Sequence, residues 1–370
     1  MRLNQGRIGR QESASMTAMT ITACAVFLLD SQKTYTNGNA SYVSLPLAIA
    51  LSVAPFLLLW AAMKRAGAKD LTELADRACG KLVGGVLSAL AVLLLFLTAW
   101  RLLDRFTTFV HSFVMASAEY VSVLVWVVGV SAYLAYRGLE CVSRMAKIFG
   151  AFLGVLLLFG IFSMGKSLDF TRLSPFPGDI AAAGRDVVAR TAEGFPVLLG
   201  LLCIAPALQG EANIRRTAVC GAAIAAVLTG LVQLGLGMAY TYHDLREMYV
   251  PMYRLKMILT RESYWFRLDQ ISLYIWLIGG MLSAAYCLYV SSLVATRRFC
   301  PRDVRPATVS LCALVALWLY LGQAKYAWLE ATLMSVYYDY GYLAAVPFLV
   351  CAVVALVRFR KKRSAQHEKA

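Results

Sequence analysis

Apolar runs about twenty residues long recur along this chain, separated by short connections in which polar and charged residues collect. A run of roughly 20 apolar residues spans the hydrocarbon core of a bilayer as a helix, and a helix satisfies its own backbone N–H and C=O groups where lipid cannot. The pattern predicts ten membrane-crossing helices, near 14–30, 42–63, 85–110, 118–137, 145–164, 192–211, 217–242, 268–295, 305–323 and 335–357. The fold class expected is therefore an all-α polytopic membrane protein, a single integral membrane domain over 1–370. Helices 1–5 lie at 14–164, a longer connection at 165–191, helices 6–10 at 192–357, and a basic tail at 358–370. The first span is interrupted by Asp30 and the polar run Ser31 to Asn39. Two further segments have apolar residues at helical spacing: 69–84 (Leu71, Leu74, Ala75, Ala78, Leu82) and 247–262 (Met248, Met252, Leu255, Ile258, Leu259). Each reads as an ordinary connecting helix or as a short amphipathic helix at a membrane surface, the inner one for 69–84 and the outer one for 247–262.

Charge orients the spans. Basic residues gather in every second connection, at Arg2–Arg10, Lys64–Lys81, Arg137–Lys147, Arg215–Arg216, Arg297–Arg305 and Arg358–Lys369. The intervening connections mix fewer bases with Asp169, Asp186, Asp244 and Glu247. Excess Lys and Arg mark the cytoplasmic side, so both termini are expected there. The net charge of +15 is mostly this topology signal. Basic residues scattered over membrane-edge loops argue against a nucleic-acid partner and for attraction of the tail to anionic lipid.

Composition removes other classes. At 60% hydrophobic and 15% charged, with a mean hydropathy of +0.64, the chain matches no soluble globular class. No cleavable signal sequence is expected ahead of the first span. The nine cysteines fall in spans or on the basic side, so no disulfide is expected. The three histidines are far apart, and nothing has metal-ligand spacing. No nucleophile elbow, phosphate loop or paired metal-ligand set occurs; neither an enzyme nor a cofactor is expected.

Charged and helix-breaking residues inside spans carry the chemistry. The sixth span, TAEGFPVLLGLLCIAPALQGE, contains Gly194, Pro196, Gly200, Pro206 and Gly210. Proline removes a backbone donor and clashes with the preceding turn, so this helix is expected to bend or open, or to be a kinked packing helix. In the third span Arg101 and Asp104 are three apart and could pair on one face. Arg101 also lies far enough along the helix to snorkel to the headgroups. Glu140 and Arg144, four apart, are expected to form a structural pair opening the fifth helix. Arg267 and Asp269 either anchor the surface helix before the eighth span or meet a ligand. Tyr274 and Trp276 are pocket walls or ordinary packing.

The motifs YRGLECVSRMAKIFG at 136–150 and PMYRLKMILTRESYWFRLDQISLYIW at 251–276 together resemble the spore germination permease family, the B subunits of nutrient germinant receptors in endospore-forming bacteria. Pro251, Leu255, Ile258, Arg267, Leu268, Asp269, Trp276, Arg137, Gly138, Leu139, Glu140 and Arg144 carry the match. The resemblance implies the fold of amino acid–polyamine–organocation transporters: two inverted five-helix repeats, helices 1 and 6 broken near mid-membrane, and a small-molecule site between them. It also implies an A-type membrane subunit and a C-type lipoprotein as partners in the spore inner membrane. Asp30, Thr34, Arg101, Glu193, Gly194, Phe195, Tyr274 and Trp276 are then the ligand-binding candidates. Asp104, Glu140, Arg144, Pro196, Pro206, Arg267 and Asp269 are the structural or gating ones. The first span departs from the family, running from Phe27-Leu28-Leu29 into Asp30-Ser31-Gln32-Lys33-Thr34-Tyr35 where relatives carry glycines, and Leu199 stands where they tend to place an acid. Asp30 could face an amine or cation, or simply mark where the helix surfaces. A secondary amino acid or amine transporter, with Asp30 and Glu193 as coupling carboxylates, and a scaffold subunit that binds nothing are the competing readings.

Overall fold

The computed structural model describes residues 7–29, 31–35, 40–163, 168–173, 180–208, 211–248, 268–299, 303–324 and 326–367. Asp30, Arg267 and most of the 247–262 segment lie outside the described residues. The chain opens with α1 (Arg10–Phe27), a one-turn α2 (Ser31–Thr34), α3 (Ser41–Ala66) and the short α4 (Leu71–Cys79). Next come α5 (Lys81–Phe113), α6 (Tyr120–Arg137) and α7 (Leu139–Ser163). The second half holds α8 (Ile180–Cys203), α9 (Glu211–Ala239), the short α10 (Tyr242–Glu247) and α11 (Leu268–Phe299). It ends with α12 (Arg305–Ala324), α13 (Ala327–Tyr340) and α14 (Ala345–His367). The end of the bundle where α1 begins is here the proximal end, and the end where α1 stops is the distal end.

Eight helical stretches among the described residues are long and apolar enough to cross a membrane, rather than the ten expected. The first and sixth expected spans, now α1 and α8, are the two that fall short. The reason is burial. Every residue of α1 from Met16 to Phe27 is buried, and so is every residue of α8 from Ala192 to Cys203. Helices enclosed by other helices need not be lipid-soluble, so they can hold the serines, threonines and charges that a lipid-facing helix excludes. In the crossing stretch of α11, 89% of the residues are buried inside the protein, against 22–44% in the other seven. The centre of the bundle is thus α1, α8 and α11, wrapped by helices that face lipid. Small residues let the centre pack closely: a Cβ added at Gly221 of α9 would lie 2.8 Å from the Thr17 side chain of α1.

Other expected boundaries shift for local reasons. The sixth helix begins at Ile180, inside the predicted connection, because its alanine-rich first turns are helix formers and Asp186 pairs with Arg190 one turn on. It runs unbroken through Pro196 and stops at Cys203. The opening comes at Pro206, in a 3₁₀ turn over Ala205–Ala207. The tenth span divides into α13 and α14 around a 3₁₀ turn at Gly341–Ala344, and α14 extends into the expected tail. The 69–84 segment is two helices, parted at Gly80, whose φ of 86° suits a residue without Cβ. Leu71, Leu74, Ala75 and Ala78 are buried against neighbouring helices, while Leu82 is 90% exposed on the next helix. Hence α4 is packed into the bundle rather than lying on the membrane surface.

What holds α4 is a clamp at the proximal end. Asp70 caps α4 by accepting from the Glu73 N–H at 2.8 Å. Its other carboxylate oxygen meets Arg297 at 3.0 Å. Arg297 also donates to the Cys203 carbonyl at 2.6 Å, satisfying an acceptor freed where α8 ends. Arg298 pairs with Asp76 at 3.0 Å, and Arg358 donates to the Ala78 carbonyl at 3.0 Å. Beyond the end of α8, the Ile8 N–H donates to the Ala207 carbonyl at 3.1 Å. Asp70→Ala is expected to lose the cap, about 1–2 kcal/mol, and to strand Arg297. Asp70→Asn keeps the cap and loses only the ion pair. A larger drop in thermal midpoint for the alanine variant, in detergent, is the expected result.

Candidate functional site

A dry ion pair lies at the centre of the bundle. Arg101, on α5, meets Glu193, on α8, through two contacts of 2.9 and 3.4 Å, with side-chain exposures of 3% and 8%. The fork of the guanidinium matches the carboxylate. The Tyr337 ring of α13 lies 4.2 Å from the guanidinium carbon. Arg101 therefore neither snorkels nor pairs with Asp104. Its Nε, inside the protein, has no hydrogen-bond partner among the described residues. Asp104 is buried one turn further along, in the field of Arg105 and beside Glu330 of α13.

The backbone explains why Tyr337 stands there. Pro196 has no N–H, so the Ala192 carbonyl four residues earlier lacks its intrahelical donor. The Tyr337 hydroxyl donates to that carbonyl at 3.3 Å. One tyrosine thus repairs the proline gap and stacks on Arg101. The helix face beside Glu193 is kept flat by Gly194, where an added Cβ would lie 2.5 Å from the Ser52 hydroxyl of α3. The next ring, Phe195, packs 6.1 Å from Phe348 of α14.

The distal end of α1 stops against aromatics. Phe27 lies 4.4 Å from Phe106, 4.9 Å from Trp276 and 6.3 Å from Phe109, centroid to centroid. Trp276 is therefore a buried wall next to the break, whereas Tyr274 is 55% exposed and faces outward. Beyond the break Tyr35 is fully buried and donates to Gln233 of α9 at 2.6 Å.

A second polar layer sits distal to the ion pair. Arg190, one turn before Glu193, is buried; its Nε donates to Asp186 at 2.8 Å, and it also bonds the hydroxyls of Thr34 and Tyr338. Ser44 of α3 donates to the other Asp186 oxygen at 3.1 Å. A third layer is half-exposed: Lys33 pairs with Asp339 at 2.7 Å, beside a cavity of about 700 Å³. α2, α8 and α13 are thus tied together by Thr34, Arg190, Tyr338, Lys33 and Asp339. Of these the sequence reading singles out only Thr34. A signal existed for Arg190: Asp186, Arg190 and Glu193 recur at i, i+4 and i+7, one helical stripe.

The remaining candidates are peripheral. Glu140 and Arg144 are 3.7 Å apart at the proximal end, and Glu140 also accepts the Arg7 N–H at 2.8 Å. Pro206 forms the 3₁₀ turn described above. Asp269 falls in the first turn of α11, and its side chain is outside the described residues, as are Asp30 and Arg267.

These helices, with a buried charged centre and two interrupted central helices, define a transporter-fold membrane protein. The match to known families is specific: residues 8–326 match the spore permease family, described as spore germination protein, and the chain belongs to it. None of the curated proteins compared matches the sequence. Among solved structures the chain is similar to a nucleobase-cation-symport-1 family transporter in a closed conformation with bromovinylhydantoin bound. The identity is 12%, with 98% of this chain and 94% of that one covered, and the TM-score is 0.67. It is also similar to a Na⁺-coupled sialic acid symporter in an outward-open state, at 11% identity, 95% and 89% coverage and a TM-score of 0.70. A manganese transporter of Eremococcus coleocola matches at 12% identity, 93% and 76% coverage and a TM-score of 0.60. At such identities the likeness establishes the fold.

Proposed function

We propose that the protein is the membrane subunit of a spore nutrient germinant receptor, binding a small nutrient, an amino acid or similar, within the bundle. The observation that carries this reading is the Arg101–Glu193 pair. Desolvating two charges in a membrane interior is costly, and such pairs mark ligand or gating sites by default. This one joins α5 to α8 beside the interrupted α1, where a ligand carrying both charges could exchange with it. A ligand that prefers the opened bundle shifts the equilibrium toward it. Neighbouring A-type and C-type subunits read out the change in the spore inner membrane. In this reading the proximal end is cytoplasmic, both termini lie there, and the distal end faces the incoming nutrient.

The test is a thermal-shift series in detergent with L-alanine as first probe. At one hundred times Kd, binding to the folded state alone adds about 2.7 kcal/mol of stability. The expected result is a concentration-dependent rise in midpoint that disappears when both charges are removed in the Arg101→Met/Glu193→Leu variant. An undiminished rise in that variant sinks the reading. The transporter likeness favours a second reading, coupled uptake of an amino acid or amine. Gradient-driven accumulation of radiolabelled alanine in proteoliposomes of the isolated chain would select it.

A further inference from the structure

Asp104 is a buried acid that the central ion pair leaves unused, 8% exposed on α5. Its carboxyl hydrogen-bonds to the carboxyl of Glu330 on α13. The room for Glu330 comes from Gly322 of α12, where an added Cβ would lie 2.7 Å from Glu330 Oε2. An ionised carboxylate only accepts hydrogen bonds, so two carboxyls that bond each other hold a proton between them. Two carboxyls this close do not both stay ionised in a dry site. Among the described residues, few charged or titratable groups face the pair. Arg105 of α5 places a positive field on both carboxyls. The Tyr120 phenol of α6 lies near both, with the His111 ring of α5 5.6 Å from its own. α12 presents Gly322 and the neutral Gln323, and α11 meets this turn of α5 with Gly280 at Phe106. The next charges, Arg101 and Glu193, satisfy each other. With one shared proton, Asp104, Glu330 and Arg105 sum to zero charge. Without it a net negative charge is left inside the bundle, where it is poorly solvated.

The helix this proton governs is α13. None of its residues is buried, so apolar packing does little to hold it. Its anchors are polar: Glu330 at Asp104, Tyr337 at Arg101 and the Ala192 carbonyl, Tyr338 at Arg190, and Asp339 at Lys33. The closed seam between α5 and α13 also leaves groups unsatisfied. On the Asp104 stripe of α5, the Trp100 indole N–H and the Thr107 hydroxyl are buried with no hydrogen-bond partner among the described residues. Water entering an opened seam would satisfy both. We propose that Asp104 and Glu330 form a proton-binding site that latches α13 onto α5. With the proton bound the seam is closed; as pH rises and the proton leaves, the two carboxylates repel and the seam opens. The latch works in the same way whether the centre senses a ligand or transports one.

Two measurements on the full chain in detergent test the latch. The first is infrared difference spectroscopy at about pH 7, well above the ordinary carboxylate range near 4. The parent is expected to show the carbonyl band of a protonated carboxyl. That band is expected to be lost in Asp104→Asn and in Glu330→Gln, and kept in Arg101→Met/Glu193→Leu. The second reads opening from Leu333→Cys, which lies between Glu330 and Tyr337 on the part of α13 packed against the core. Labelling of this cysteine by a hydrophilic maleimide is followed by peptide mass spectrometry. Thiols react faster as pH rises, so each rate is divided by that of the same cysteine in the Glu330→Gln background, where the amide bonds Asp104 without a proton. One proton linked to opening raises this ratio by up to about tenfold per pH unit, and a rise is expected between about pH 6 and about pH 9. Asp104→Asn as the background is expected to give the same result, which separates the latch from a folding defect in either variant. A flat ratio with the band present overturns the latch. Absence of the band overturns the proton site, and a thermal midpoint that then follows sodium concentration makes the pair a cation site instead.

Discussion

Arg101→Ala is expected to destabilise the protein by about 3–5 kcal/mol, because it leaves Glu193 charged, buried and alone. Glu193→Ala is expected to do the same to Arg101. Two features make the loss large. The pair is nearly free of solvent, so water cannot replace the missing partner. The groups around it are a tyrosine ring and a thiol, Tyr337 and Cys24, and neither supplies a compensating charge. The double variant Arg101→Met/Glu193→Leu removes both charges and fills similar volume, and such replacements are often neutral or stabilising. The expected order of thermal midpoints is therefore double variant near parent, with both single variants well below. Fluorescence-detected size exclusion after heating measures this without requiring reversible unfolding. Two single variants as stable as the parent would mean that the pair is hydrated in solution, and the ligand-exchange argument would lose its basis. If the double variant is stable but unresponsive to alanine, the pair is kept for function at the expense of stability.

The lipid-facing helices were legible in the sequence because lipid imposes one rule on them, a long apolar run, and 41–66 or 305–324 could hardly be read otherwise. The central helices obey another rule. α1 and α8 are solvated by protein, so their polar residues lower their apparent hydrophobicity while lying in the buried centre of the bundle. Glu193, Gly194 and Phe195 stand out in the sequence because they precede a proline inside a span. Arg101 stands out because charge in a span is conspicuous, but its partner does not: 92 residues separate Arg101 from Glu193, and local spacing points to Asp104 instead. The distal layer was hidden for a different reason. Lys33 and Asp339 sit at helix ends, where a charge is ordinary, and Arg190 lies in what reads as a connection between spans. Only the packing of α2 and the end of α13 against α8 shows that their charges converge. Tyr337 carries no signal of its own in the sequence; its place follows only once Pro196 has left the Ala192 carbonyl for it to satisfy.

Gly280→Val is expected to disrupt the bundle more than any other single small-to-large change among the glycines of α11. An ideal Cβ at Gly280 would lie 2.0 Å from two carbons of the Phe106 ring, against 3.7 Å to the nearest atom at the neighbouring Gly279. The ring cannot simply swing away, since Phe27 lies against it at 4.4 Å and Trp276 closes the other side of Phe27. Overpacking of this kind typically costs about 1–3 kcal/mol, and more where neighbours cannot move. The displaced Phe106 ring presses on Phe27, the last residue of α1, so the strain falls on the interruption that separates α1 from α2. Gly280→Val should therefore lower both the thermal midpoint and the response to alanine, whereas Gly279→Ala should change neither. Phe106→Ala removes the obstacle but opens a cavity worth about 3–5 kcal/mol on its own. Combining it with Gly280→Val refills part of that space, so the double variant is expected to be more stable than Phe106→Ala alone. Such non-additivity is the mark of two side chains competing for one volume. Strictly additive losses would mean that α11 and α5 stand further apart at Gly280 than this close approach requires. In that case the stop of α1 at Phe27 would need another cause than the aromatic wall formed by Phe106 and Trp276.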